Sequence, residues 1–527
     1  MKVALFALNS SYSHTNLAVR AIGASLHAHG TDAVIIEKNR KDARDGVLRT
    51  LYEENADVYG FSAYIWNIGD MLRFAAELKR IRPEAKIVFG GPEVSFEDET
   101  FFAAHPFVDT IIAGEGEDAF VTLCDALSRG EATEKIIMAE PFAGFAESGI
   151  YYDEIGGEPH GLVYYESSRG CPFSCGYCLS SVTHGVRAKT AEKALADLLR
   201  FEQFDDIRTV KLVDRTFNFD RERAKTIWRG LMAPCYTKEY HFEVSAALLD
   251  EESFALLAQA PKGKFRLEIG VQSTNPKTIA AISRALDMDK TIAALDRLTE
   301  AGNLHVHADL IAGLPYEDYA SFGRSFDAVY GRCDVLQLGF LKLLRGSSLR
   351  RDAERLGIVY SPEPPYAVLA TDALPYPDVA RLLRIEEVVE RCANSGKFRY
   401  ALPALAKKCG SPFAFFEGLA DFIAEKTGGK DLAAVAQTDL FALFYDYVCD
   451  RAPALAEEAR ERLALDFLLG ETRRLPMCLR GEAVSEEEKA EALLRVPAAS
   501  RAGCEVVRLR FLLDAPVVVD RAAHELR

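Results

Sequence analysis

The chain has 527 residues, 49% of them hydrophobic, and a formal net charge of −16, enough for two or three domains with sizeable cores. No apolar run approaches the roughly 18 residues of a membrane-spanning helix, the apolar start is too short for a signal peptide, and the acid excess argues against a nucleic-acid partner, which calls for a basic face. The 11 cysteines are distributed as in a reducing cytoplasm, not as a disulfide framework.

Apolar runs at 2–8, 32–37, 57–63, 86–89 and 108–113 read as strands separated by helical segments such as 16–29. They predict a five-stranded doubly wound unit of flavodoxin type, its ligand at the carboxyl ends of the strands near the topological switch point. The loops at those ends are Asn9-Ser10-Ser11-Tyr12-Ser13-His14, Ser62-Ala63-Tyr64-Ile65-Trp66-Asn67, Gly90-Gly91-Pro92-Glu93 and Gly114-Glu115-Gly116. Their glycines would let the main chain approach a ligand without Cβ clashes. Candidate cofactor contacts are Asn9, Ser10, Tyr12, His14, Ser62, Tyr64, Trp66, Asn67, Gly90, Gly91, Glu93, Gly114 and Gly116. A flavodoxin-type domain that binds nothing, or a different nucleotide, is the alternative.

A strand at 162–166 runs into Gly170-Cys171-Pro172-Phe173-Ser174-Cys175-Gly176-Tyr177-Cys178. This C-x3-C-x2-C run supplies three thiolates where a cubane [4Fe-4S] cluster normally takes four, and an open metal coordination site separates a catalytic centre from a closed structural one. Structural zinc would need a fourth ligand, and only His184 or His160 lies near.

A helical stretch at 190–204 follows, then strand-like runs at 210–213, 241–245, 265–271, 305–311 and 335–344, most of them leading into a helical pattern. Six strand-then-helix repeats predict parallel strands with right-handed crossovers. Ligands then belong at the carboxyl ends of the strands, where Asp214, Ser245, Gln272, residues 313–315 and Lys342 fall. Cys235 and Cys333 precede their strands and are expected at the opposite face, where stability is the usual role.

Ser361-Pro362-Glu363-Pro364-Pro365 and Pro375-Tyr376-Pro377 mark a boundary. The expected divisions are 1–140, a linker at 141–160, 161–358 and 359–527. The last is mainly helical, with runs at 378–393, 412–426, 432–448 and 453–469 and a closing strand pair at 505–513 and 517–520. Its cysteines, Cys392, Cys409, Cys449, Cys478 and Cys504, lack ligand-like spacing and read as buried free thiols. Phe441, Phe444, Tyr445 and Tyr447 read as core.

The cysteine run, with Tyr177 before its last cysteine, resembles the signature of the radical S-adenosylmethionine (SAM) superfamily. The resemblance implies a partial (β/α)6 barrel of TIM type and a [4Fe-4S] cluster on Cys171, Cys175 and Cys178. SAM chelates its open iron, and one electron cleaves SAM to methionine and a 5′-deoxyadenosyl radical. It also implies SAM contacts from Glu268, Gln272 and Arg284 and from the backbone around Gly313, with Asp214 at a strand end beside them. An ordinary barrel-interior or loop-capping role is the alternative for each.

The loops of the first unit resemble the cobalamin-binding domain, whose pattern is Asp-x-His-x-x-Gly after the first strand, Ser after the third and Gly-Gly after the fourth. Ser62, Gly90 and Gly91 fit, His14 stands where the ligating histidine would be, and Tyr12 and Leu17 depart from the pattern. The missing Asp would have fixed the imidazole tautomer. His14 on cobalt, His14 capping the following helix, and a lower cobalt face left open or covered by another side chain all stay open.

This order of domains resembles the cobalamin-dependent radical SAM class over residues 1–350, and the tail resembles the C-terminal domain of a branch of cobalamin-binding radical SAM proteins. The implied fold is α/β: a flavodoxin-like cobalamin domain, the partial barrel, and a mainly helical C-terminal domain ending in a β-hairpin that covers the barrel mouth. The implied function is methylation of an unactivated carbon, with one SAM methylating cobalamin and a second generating the substrate radical. It brings [4Fe-4S], SAM and cobalamin as cofactors, a small-molecule or other substrate, and a flavodoxin- or ferredoxin-type electron donor. A cyclase or rearrangement enzyme and a cobalamin or SAM sensing module are the alternatives. A methylthiotransferase acting on tRNA fits less well, since that class carries a second cluster on amino-terminal cysteines and Cys124 alone precedes the motif here.

Overall fold

The computed structural model describes residues 1–11, 14–152, 161–183, 185–284, 287–471, 473–494, 496, 504–509, 511–512, 515–521 and 524–526. Tyr12, His160 and His184, considered above, lie outside the described residues. The chain divides into two compact units, one of Met1–Gly270, Pro276–Val306 and Phe340–Asp372, the other of Val271–Asn275, His307–Gly339 and Ala373–Arg527.

The first unit opens with β1 (Lys2–Asn9), α1 (Leu17–Ala28), β2 (Asp32–Asn39), α2 (Arg44–Glu54), β3 (Val58–Ser62), α3 (Ile68–Ile81), β4 (Lys86–Gly90), α4 (Glu99–Ala104), β5 (Thr110–Ala113), α5 (Gly116–Ser128) and β6 (Ile136–Met138). The strands pair in parallel in the order β2-β1-β3-β4-β5-β6. The doubly wound expectation holds, with one correction: the sheet has a sixth strand, whose three residues are too few to show a period. Ala4, Phe6 and Leu8 of β1 enter one core and Val3, Leu5 and Ala7 the other, as a parallel sheet covered on both faces requires. Strand order reverses between β1 and β3, so the loops after those two strands flank the switch point.

Next come β7 (Gly161–Tyr165), a short antiparallel pair β8 (Ser168–Gly170) and β9 (Val186–Ala188), then β10 (Ile207–Leu212), β11 (Glu239–Glu243) and β12 (Phe265–Gln272). β7, β10, β11 and β12 are parallel neighbours in chain order, with helices Ala191–Phe201, Arg221–Leu231 and Glu251–Leu257 between them. β13 (His305–Ala312), helix Tyr319–Val329 and β14 (Val335–Phe340) carry the alternation to its sixth strand, the half-barrel pattern expected above.

In the second unit, helices Tyr376–Val388, Pro412–Thr427, Gln437–Arg451 and Ala456–Gly470 form most of the core. Phe413 packs against Tyr319, Phe322 and Phe326 at ring separations of 5.4, 6.3 and 5.6 Å. Helices Leu402–Lys408 and Glu486–Leu494 were not expected, and the closing hairpin, Cys504–Leu509 with Ala515–Asp520, gains a third short strand, Glu525–Leu526. Phe441, Phe444 and Tyr447 are core as expected. The buried-thiol expectation holds for Cys392 alone: Cys409 ends a helix in solvent, and Cys449, Cys478 and Cys504 are half-buried. Among the described residues no helix is long and apolar enough to cross a membrane.

Candidate active site

The cysteine loop leaves β8 at Gly170 and returns to β9. Gly170 has φ +92°, and a Cβ there would lie 2.1 Å from the carbonyl oxygen of Gly185, so this crossing demands glycine. Behind the loop Asp214, fully buried after β10, accepts the Ser167 amide at 2.9 Å, the Ser167 hydroxyl at 2.6 Å, the Ser168 hydroxyl at 2.8 Å and the Ser168 amide. Arg223 donates to the Ser167 hydroxyl at 2.8 Å. These four hydrogen bonds tie Asp214 to the segment that leads into Cys171. The carboxylate thus shapes the segment behind the candidate ligands.

Within the loop, Cys175 is buried and Cys171 and Cys178 are half-buried. The Gly176 amide donates to the Ile282 carbonyl at 2.9 Å, and the Gly176 carbonyl accepts the Leu349 amide at 2.9 Å. Arg284 donates to the Tyr177 hydroxyl at 2.9 Å, faces Cys175 Sγ at 3.6 Å and also donates to the Gly270 carbonyl. Burial pushes the Cys175 thiol up, and Arg284 opposes the shift, favouring the thiolate form a metal site would need. Among the described residues no three His, Cys, Asp or Glu side chains converge as a single ion would require. A cubane asks for less, because each thiolate serves its own iron. Three thiolates within eight residues suit that arrangement.

Alternation along the strands puts Tyr164, Lys211, His241, Glu243 and Glu268 on one face. Lys211 sits in register with Tyr164 and His241, and Glu243 with Glu268. Glu268 lies 2.9 Å from Lys211 Nζ and 3.0 Å from His241 Nε2. Burial pushes its carboxyl up, but His241 and Lys211 overcome that and hold it at about 2. Glu243 stands 3.8 Å from Lys211 and is pushed up to about 7, by burial first and the Glu268 charge next. Sequence pattern alone did not single out Tyr164, Lys211, His241 or Glu243.

The loops of the first domain come to the same unit. His14 Nδ1 lies 2.8 Å from the Tyr164 hydroxyl, and burial followed by the Lys211 charge lowers its pKa. The alternative of a helix cap by His14 falls to Asn16, whose side chain accepts the Val19 amide at 3.1 Å. Asn9 donates to the His14 carbonyl at 2.9 Å and to Glu37 at 3.1 Å, and Ser10 is exposed. Tyr64 and Trp66 stack at 4.4 Å, and Trp66 is 42% exposed, a flat apolar surface suited to a large planar ligand. Ser62 and Asn67 are buried, and Asn67 donates to the Ser62 and Leu8 carbonyls at 3.0 and 3.2 Å.

Two expectations about this cradle need correction. Glu93 is turned inward, buried against Tyr366 and Arg345. The glycine argument also changes: a Cβ on Gly91 would lie 2.5 Å from the Ala63 carbonyl oxygen, and one on Gly116 2.8 Å from Ile22 Cδ1. The chain's own backbone requires glycine at 91 and similarly at 114, where φ is +110° and a Cβ would lie 3.0 Å from the Ala139 carbonyl oxygen, while at 116 the obstacle is only the end of a flexible side chain. Gly90 alone of the four has ordinary space around it. In the second unit, Gln272 takes a left-handed φ of 69° at the end of β12, and Gly313, φ 85°, follows β13.

A B12 binding domain model matches residues 4–124 and a radical SAM superfamily model residues 165–329; residues 354–503 match a family described as a protein of unknown function (DUF4080). An uncharacterized methyltransferase of Pyrococcus horikoshii is 25% identical over 322 residues, 56% of this chain and 68% of that one. The cobalamin-dependent radical SAM methyltransferase TokK of Streptomyces tokunonensis is 24% identical over 453 residues, 74% of this chain and 65% of that one. The chain thus spans about two thirds of each of these relatives. The cobalamin-dependent S-adenosylmethionine radical enzyme OxsB, solved with aqua-cobalamin and S-adenosylmethionine bound, shares the fold with a TM-score of 0.60 at 14% identity, over 89% of this chain and 84% of that one.

Proposed function

We propose that this chain, a B12-binding radical SAM protein, is a methyltransferase that delivers a methyl group to an unactivated carbon of a small substrate. The supporting observation is the direct contact between its two candidate cofactor regions: Arg169, two residues before Cys171, pairs with Glu115 of the loop after β5, and Tyr164 of β7 pairs with His14 of the loop after β1. When bound, the cluster supplies the electron that cleaves SAM, and cobalamin carries the methyl group. Cys171, Cys175 and Cys178 would hold the cluster, with Arg284 keeping Cys175 and Tyr177 oriented. Tyr64 and Trp66 would cover a face of the corrin. Lys211, Glu243 and Glu268 would orient polar groups of SAM or substrate by short-range electrostatics, a proximity task. Gln272 and the backbone at Gly313 remain SAM contacts in this proposal, residues 1–140 the cobalamin domain and 161–358 the radical SAM core, and a flavodoxin or ferredoxin the electron donor.

The test is anaerobic purification with cobalamin, cluster reconstitution, and incubation with a reductant and SAM labelled in its methyl group, with candidate substrates. Formation of 5′-deoxyadenosine that Cys171→Ala abolishes, together with label in the product, is expected. 5′-Deoxyadenosine and turned-over substrate without label would replace methyl transfer by cyclisation or rearrangement. A loaded protein that never yields 5′-deoxyadenosine would be a sensing module.

A further inference from the structure

We infer that Glu115, gripped by Arg169 and Arg187, is a positioning device that makes cobalamin binding and cluster binding mutually dependent. The inference rests on the two-cofactor reading above and assigns roles to residues outside the candidate ligand set.

The cysteine loop hangs between β8 and β9, and each strand sends one arginine to the same carboxylate. Arg169 Nη1 of β8 lies 2.5 Å from Glu115 Oε2, and Arg187 of β9 pairs with Glu115 Oε1. Glu115 sits between Gly114 and Gly116, in the loop after β5 that faces the ligand side of the first sheet, and its Oε2 also accepts the Phe142 amide at 2.9 Å. Arg169 is further fixed by Glu117 at 2.6 Å and Glu166 at 2.9 Å, so its guanidinium meets three carboxylates. Its side chain is 13% exposed and that of Glu117 5%, and the guanidinium lies 4.6 Å from the Phe145 ring centroid.

Such a cluster has few alternative arrangements. Charge-assisted, partly buried pairs are short and directional, and breaking one partner strands another charge away from water. A shift of the cysteine loop therefore pulls Glu115 through two arginines, and a corrin bound at the carboxyl ends of the first sheet, where the loop after β5 lies, would resist that shift. Ordering paid for by one ligand is then not paid again by the other, which is positive coupling, and it must be reciprocal.

The experiment uses the full chain before and after cluster reconstitution with iron and sulfide, titrated anaerobically with hydroxocobalamin. In wild type the cluster should tighten cobalamin binding by roughly five- to tenfold, the low part of the usual range for coupled sites. Glu115→Gln, which keeps shape and loses charge, should bind cobalamin with one affinity whether or not the cluster is present. Arg187→Gln, at a side chain 41% exposed, should reduce the coupling in part and serves if Glu115→Gln fails to fold. Both cofactors binding wild type with no coupling, or full coupling retained in a folded variant, overturns the inference. Failure of wild type to hold cobalamin or cluster at all overturns instead the two-cofactor reading, and this inference with it.

Discussion

Asp214→Ala is the sharpest test of how the cysteine loop is held. The substitution removes the carboxylate that accepts from the side chains and amides of Ser167 and Ser168. The two hydroxyls can rotate to new partners, whereas the two buried amides cannot. An unsatisfied buried donor costs about 1–3 kcal/mol, so the stranded amides alone predict a loss of roughly 2–6 kcal/mol. Asp214→Asn keeps the oxygen that takes three of the four bonds and should lose only about 1 kcal/mol, the difference between a charged and a neutral hydrogen bond. The assays are thermal unfolding of the full chain and iron bound per chain after reconstitution. The order expected is wild type, then Asn slightly below, then Ala far below in both. An Ala variant with wild-type melting and iron content would refute the idea that this carboxylate shapes the loop.

Glu243→Gln should gain stability on wild type as pH rises: a carboxyl raised from 4.5 to about 7 keeps its proton in the folded chain where the unfolded chain has lost it, so wild type loses stability between those values. The gain above pH 7, on the order of 2 kcal/mol after solvent screening, is read from denaturant midpoints at pH 5 and 8; equal gains at both would contradict it. Arg284→Met should cost about 2–3 kcal/mol of buried charged hydrogen bonding and lower iron per chain, with Arg284→Lys in between; unchanged iron in the Met variant counts against the assignment. For His14, whose Nδ1 meets the Tyr164 hydroxyl in place of the carboxylate that would raise the ring's basicity, cob(II)alamin bound to wild type should show no nitrogen splitting in its electron paramagnetic resonance spectrum, and His14→Ala should leave that spectrum unchanged. A splitting that His14→Ala abolishes would put the imidazole on cobalt.

Much of the site was legible because local spacing carries it. The cysteine run lies within eight residues, and the loops of the first domain follow apolar strands whose ends a period-two or continuous pattern reveals. Contacts between distant segments leave no such trace. Glu93 looked like part of a ligand loop because nothing in its neighbourhood reveals Tyr366, 273 positions away. Gly91 and Gly116 looked like room for a corrin because their actual neighbours, Ala63 and Ile22, arrive from other elements. A glycine next to a strand end reports close approach, without saying to what.

β11 shows the same limit at the level of one strand. Its sequence, Glu239-Tyr240-His241-Phe242-Glu243, alternates charge with aromatics, whereas a parallel strand buried on both faces should be apolar throughout. Tyr240 and Phe242 are fully buried, and Phe242 meets Phe217 and Trp228 on the helix side. The polar positions must then share the opposite face of the sheet. That much follows from alternation alone. Which charges pair does not: His241 reaches Glu268 rather than its own neighbours because of a register between strands. A one-residue slip would exchange the whole face for aromatics. The polar face is therefore a property of strand pairing, and under the proposed function a substrate seated on it would bring hydrogen-bonding groups of its own.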